Sequence, residues 1–222
     1  MPHLRITRRH LFPLGLAAAL GASAQTPAMP EMQGLPPRAS AADYSAQEKV
    51  GDITIGADFV GHAVPTMQGP LTSEDYVAVE LAFYGPANAK ARISFQDFSL
   101  RINEKKSTLP SQQYGMVMKS LSDPEWIPPV VEGEKSKGGG ISAGGGGGGA
   151  AGDPKPAPPK MPFPLRRAME QKAQKSALPE GERLLPVAGL VFFAYRGKDQ
   201  GIQQVELLYN GAAGKTTLSL RR

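Results

Sequence analysis

Between Ser122 and Pro164 the chain holds nine of its 21 prolines, and ten of its 26 glycines fall between Gly138 and Gly152. Glycine loses more backbone freedom on folding than any other residue, and proline lacks the N–H that helices and ladders need. Polyglycine with proline therefore reads as a low-complexity loop, disordered from Glu132 to Pro159 and stiffer from Asp153 to Pro159. It sits inside an insertion spanning 122–177. Any core must be assembled from residues on either side of it, 49–121 and 178–222, about 118 residues in all.

Those flanks carry strand signals. Tyr76 to Tyr84 (YVAVELAFY) alternates with period two and presents Val77, Val79, Leu81 and Phe83 on one apolar face. Gly85-Pro86 ends it. Short extended runs follow at Arg92–Phe95 and Phe98–Asn103, and a weaker one at Tyr114–Met118. A strand is expected near Asp52–Val60, and His62 to Pro70 reads as turn chemistry. After Gly181 come Leu184–Tyr195, Ile202–Tyr209, a turn signal at Asn210-Gly211, and Thr216–Leu220. Strands with tight turns and no intervening helices predict an all-β fold, an immunoglobulin-like antiparallel β-sandwich of about seven strands. The long Gly/Pro-rich insertion and one short helix interrupt it.

Leu190 to Tyr195 (LVFFAY) is apolar on both faces. One face meets the sandwich core, and the other would be a bare strip prone to aggregation unless something covers it. The cover predicted here is the short helix at 165–177, with Leu165, Ala168, Met169 and Ala173 on one side and Pro179 as its stop.

Residues 1–24 read as a signal peptide. Arg5, Arg8 and Arg9 precede a short apolar run, Leu11 to Ala22, and Ala22-Ser23-Ala24 is a small-x-small cleavage site. The run is too short for a retained membrane span. Thr7 to Phe12 also resembles a twin-arginine signal, so the general and twin-arginine routes both stay open. The expected location is periplasmic or secreted, after cleavage near Ala24. Residues 25–48 read as a flexible tether. Cleavage would lower the net charge from +5 to +2, leaving 22 basic against 20 acidic residues. From Lys135 to Lys175 there are eight basic residues against Asp153 and Glu170, so a basic insertion sits on a mildly acidic body.

The chain has no cysteine, and its histidines are His3, His10 and His62. Disulfides, thiolate chemistry and a His-cluster metal site are thereby excluded from the mature protein, and no cofactor is expected. Gly214-Lys215-Thr216 lacks the preceding glycine and the following helix of a phosphate loop and reads as a hairpin. The acid pairs Asp123/Glu125 and Glu180/Glu182, or His62, leave open a hydrolase alternative. Trp126, the one tryptophan, is either a plug at the end of the sandwich or an aromatic platform for a sugar or Pro-rich peptide. The candidate interaction residues are Trp126, Lys135, Lys137, Lys155, Lys160, Arg166 and Arg167.

The tyrosine-led strand Tyr76–Leu81, Phe95-x-x-Phe98-x-Leu100, Leu178-Pro179-Glu180-Gly181, Gly189–Phe193 and the Val205–Tyr209 hairpin together resemble the telokin-like, immunoglobulin-fold domains of exported bacterial proteins. The likeness covers roughly 50–120 and 180–220 and implies an extracytoplasmic binding or assembly module with no shared active site. The function expected is a non-catalytic interaction module for a protein or an anionic envelope polymer, with nucleic acid disfavoured as a partner. The alternatives are a polysaccharide or small-ligand binding domain and the hydrolase.

Overall fold

A computed structural model describes residues 34–129 and 160–221. The expected signal peptide, residues 25–33, the glycine-rich part of the insertion, 130–159, and Arg222 lie outside the described residues. The strands are β1 (Ala46–Val50), β2 (Ile53–Gly61), β3 (Ala63–Val64), β4 (Leu71–Ser73), β5 (Tyr76–Tyr84), β6 (Lys90–Ile93), β7 (Phe98–Ile102), β8 (Leu109–Gln112), β9 (Leu121–Ser122), β10 (Gly181–Leu184), β11 (Val187–Ala194), β12 (Val205–Gly211) and β13 (Gly214–Leu220). Two α-helices accompany them among the described residues, α1 (Tyr114–Val117) and α2 (Phe163–Ser176), where one short helix was expected; α1 stands where an extended run was expected at Tyr114–Met118.

The fold is mostly β and its ladders are antiparallel. Eight strands form one sheet in the order β1-β2-β5-β11-β8-β7-β12-β13. Its two edge strands, β1 and β13, lie alongside one another, so the sheet curls into a nearly closed barrel. The continuous hydrogen-bonded order differs from the two separate sheets expected of a sandwich. The link is β8, which is shared between two ladders. Its first half pairs with β7 (Leu109↔Leu100, Pro110↔Ser99) and its second half with β11 (Ser111↔Phe193, Gln112↔Phe192).

The inside of the curl is filled from both sides of the insertion. Val77, Val79, Leu81 and Phe83 of β5 and Val191 and Phe193 of β11 meet Phe98, Leu100, Ile102, Val205, Leu207, Tyr209 and Leu218 in one buried cluster. Phe83, Phe98 and Tyr209 close it with ring centroids 5.4–6.2 Å apart. Period-two alternation produces this arrangement, because every second side chain of a strand enters the same face. The closing hairpin turns later than Asn210-Gly211. Gly211 still pairs with Gly214, and Ala212-Ala213 form the two-residue loop. Lys215 and Thr216 pair with Asn210 and Tyr209 in that ladder.

Two structures cover the outside of β5 and β11. The first is a strap formed by residues 34–45, within the stretch read as a flexible tether. Gly34 N–H donates to Lys175 O at 2.8 Å and Leu35 N–H to Ala188 O at 3.0 Å. The Arg38 guanidinium lies 2.5 Å from Asp58 and 3.2 Å from Glu80, and its carbon stands 4.1 Å above the Tyr44 ring. Tyr84 Oη donates to Arg38 O at 2.9 Å. Gly56 lets the strap sit down, because a Cβ there would lie 2.6 Å from the Tyr44 ring. The described part of the supposed tether is thus held by a charge cluster and a buried tyrosine, and β1 begins within it.

The second cover is a cap built from the small sheet β3-β4-β9, α1 and α2. Its cluster joins Val64, Leu71, Val117, Leu121, Met169 and Ala173 to Ala78, Leu190 and Phe192 on the outer face of the sheet. The second apolar face of β11 is therefore covered by a helix from the insertion, as its sequence demands.

Candidate interaction surface

Helix α2 starts after Pro162 and carries Pro164 in its first turn, where the fixed φ suits a helix and the missing N–H costs nothing. It ends at Ser176, and Ala177 and Leu178 continue as extended chain before Pro179. Its buried residues are Met169, Ala173 and Ser176, spaced i, i+4, i+7. The buried Ser176 hydroxyl is satisfied by donating to Lys172 O at 3.1 Å. Leu165 and Ala168, expected on the packed side, are exposed; the contact is made further along the helix.

That displacement has a structural consequence. Every residue from Phe163 to Ala168 is exposed, so the first turn and a half of α2 overhangs the cap that holds its second half. Phe163 is 63% exposed and Leu165 50%. Lys160, Arg166 and Arg167 are exposed around them. Arg166 reaches Glu170 only at 4.0 Å and stands 5.6 Å from the Phe163 ring centroid. Among the expected interaction residues, Lys160, Arg166 and Arg167 are exposed at or just before the start of α2. Lys135, Lys137 and Lys155 lie outside the described residues. Of the apolar members of the patch, Leu165 was expected on the packed side and Phe163 carried no expectation; a buried face of Met169, Ala173 and Ser176 leaves both outside.

Trp126 stands elsewhere. It is half-buried in a turn whose Trp126 N–H donates to Asp123 O at 3.1 Å, and it belongs to none of the apolar clusters. Neighbouring Ile127 is 82% exposed. A cavity of about 290 Å³ opens where β8 leaves β11, between Phe95, Tyr114, Glu180 and Phe192, and Trp126 does not line it.

The groups weighed for hydrolysis have neighbours that explain them. Asp123 accepts from Glu125 N–H at 2.9 Å, Glu180 accepts from Phe95 N–H at 3.0 Å, and Glu182 lies 3.9 Å from Lys90. His62 joins three segments: Nδ1 lies 2.8 Å from Ser73 O and 3.0 Å from Tyr76 O, and Nε2 lies 2.8 Å from Gly197 O. Asp199 is 3.7 Å from Nε2. Among the described residues no three His, Asp or Glu side chains are grouped to hold a metal ion.

No protein-family model, curated protein or solved structure matches this chain. What can be said of its function comes from its own residues.

Proposed function

We propose that the protein is an exported, non-catalytic interaction module that docks an anionic partner on the basic start of α2. The observation that carries this reading is the overhang. The second half of the helix is held by the cap, and the first half presents Arg166 and Arg167 beside exposed Phe163, with Lys160 exposed just before the helix. A helix this short draws its stability from the face it buries; Phe163 to Ala168 bury none, and the chain is held again only just before them by Met161, partly buried against the cap, so this exposed turn suits a binding role. The same insertion also holds Lys135, Lys137 and Lys155 in its sequence. Export is supported by the arginine-led apolar leader with its Ala22-Ser23-Ala24 site.

The finer reading of the fold, an immunoglobulin-like sandwich of the telokin-like kind, belongs to the same proposal. Its support is β8, which divides its pairing so that β2, β5 and β11 face β7, β12 and β13 across one core.

Heparin is a suitable soluble polyanion for the test. The full chain is expected to bind it with an affinity that falls steeply with salt, since releasing counterions drives such contacts. Reversing Arg166 and Arg167 to Glu should weaken binding by about tenfold or more. Binding that ignores salt, or that the double reversal leaves unchanged, would overturn the reading.

A further inference from the structure

Building on that reading, we infer that the overhanging start of α2 docks end-on into the headgroup layer of an anionic lipid bilayer. Phe163 and Leu165 decide the class of partner. They are two residues apart on a helix, and residues at i and i+2 do not face each other. A groove on a protein receives one face of a helix, through anchors at i, i+3, i+4 and i+7. No single groove takes both Phe163 and Leu165. A bilayer interface has no fixed walls, so both side chains find apolar surroundings together on the exposed sides of a turn that Met161 anchors to the cap.

The charges agree with this placement. Arg166 and Arg167 lie three and four residues after Phe163, on its side of the helix, and Lys160 precedes the first turn. Long basic side chains keep their heads among phosphates while aromatic and aliphatic neighbours enter the acyl boundary. The combination of one aromatic, one leucine and three cations, with Glu170 as the acid in reach of Arg166, fits an anionic surface. The helix has 14 residues, and no helix among the described residues is long and apolar enough to cross a membrane, so the contact is superficial.

The test uses a Phe163→Trp variant of the full chain and vesicles with brominated acyl chains. One set is phosphatidylcholine alone, and the other contains about a third phosphatidylglycerol. Emission gained by F163W over the unsubstituted chain should be quenched on the anionic vesicles and not on the neutral ones. Cosedimentation with the anionic vesicles should fall about tenfold in the F163S/L165S double variant and again in R166E/R167E, with far-UV circular dichroism unchanged because all four residues are exposed. Quenching is read at position 163, so attachment through any other segment leaves F163W unquenched and overturns the inference. Vesicle binding untouched by F163S/L165S overturns it too. A chain that binds heparin through Arg166 and Arg167 but ignores vesicles retires the bilayer and leaves the anionic-partner reading standing. A chain that binds neither retires both.

Discussion

Ala168 and Ala173 offer a matched pair for testing the cap, because the same substitution on the same helix meets opposite surroundings. Ala173 is 2% exposed and belongs to the cluster with Leu190 and Phe192, whereas Ala168 stands in the exposed overhang. Ala173→Asp forces a choice between two costs. Keeping α2 docked buries an unpaired carboxylate, at several kcal/mol. Undocking gives up the burial of Met169, about 1.5–3 kcal/mol, the Ala173 methyl, about 0.8 kcal/mol, and part of the cover over Leu190 and Phe192. The smaller cost sets the outcome, and undocking comes to roughly 3–5 kcal/mol. That is a large share of the ~5–15 kcal/mol a domain has in total, yet not necessarily all of it. The expected A173D protein is therefore folded inside the curled sheet but bare on the outside of β11. Urea denaturation should show a fall of about 3–5 kcal/mol, accompanied by new binding of an apolar-surface dye at low urea. Ala168→Asp should stay within about 0.5 kcal/mol of the unsubstituted chain and bind no extra dye. Equal losses for the two variants, or an A173D loss below about 1 kcal/mol, would refute the assignment of α2 as the cover of β11.

The strap and the close approach beside β11 yield two further expectations. Burial works against the Asp58 carboxylate's charge, but hydrogen bonds from Ser45, whose backbone N–H lies 2.6 Å away, together with the Arg38 guanidinium, outweigh it and hold the pKa below the ordinary value. A depressed folded pKa means stabilisation that is whole above the unfolded carboxylate's value, about 4, and is lost as pH falls through the folded one. Thermal melts from neutral to strongly acidic pH should thus show a fall below about pH 4 that is smaller in Asp58→Asn; an identical acid limb in the two proteins would argue that the strap is not held by this pair. At Gly189, an added Cβ would lie 2.5 Å from Leu178 Cα, a backbone atom that cannot swing aside, whereas Gly115 has nothing within 4 Å. Gly189→Ala should cost about 1–3 kcal/mol in chemical denaturation, whereas Gly115→Ala, inside α1 with open space around it, should cost nothing and add up to about 1 kcal/mol; a neutral Gly189→Ala would show that the 177–178 segment does not run against β11.

What the sequence could tell depended on how local each signal was. The inward side chains of β5 and β12 follow from alternation within one short run, and they are where the pattern puts them. The double-faced apolar run in β11 went further, because it demanded a cover, and the nearby helix supplies it together with the small sheet β3-β4-β9. The strap was not legible for the opposite reason. Arg38 and Tyr44 act through Asp58, Glu80, Tyr84 and Gly56, each a separate position whose meaning appears only when the chain is folded. The sharing of β8 between two ladders is likewise a long-range fact, since Ser111 and Phe193 are joined across the whole insertion.

The helix lies between these cases, and its partial legibility bears on function. A face drawn through Leu165, Ala168, Met169 and Ala173 treats the whole helix as cover, which would leave its first turn with a structural duty. The observed face runs through Met169, Ala173 and Ser176 and assigns that duty to the second half alone. Ser176 was passed over because a serine does not register as apolar, although its hydroxyl is satisfied by its own helix and its methylene can pack. Once the seam shifts toward the C-terminal end, Phe163, Leu165, Arg166 and Arg167 have no part in closing the core. Exposed Phe163 and Leu165 add nothing to folding there, and that is the ground on which the proposed docking rests.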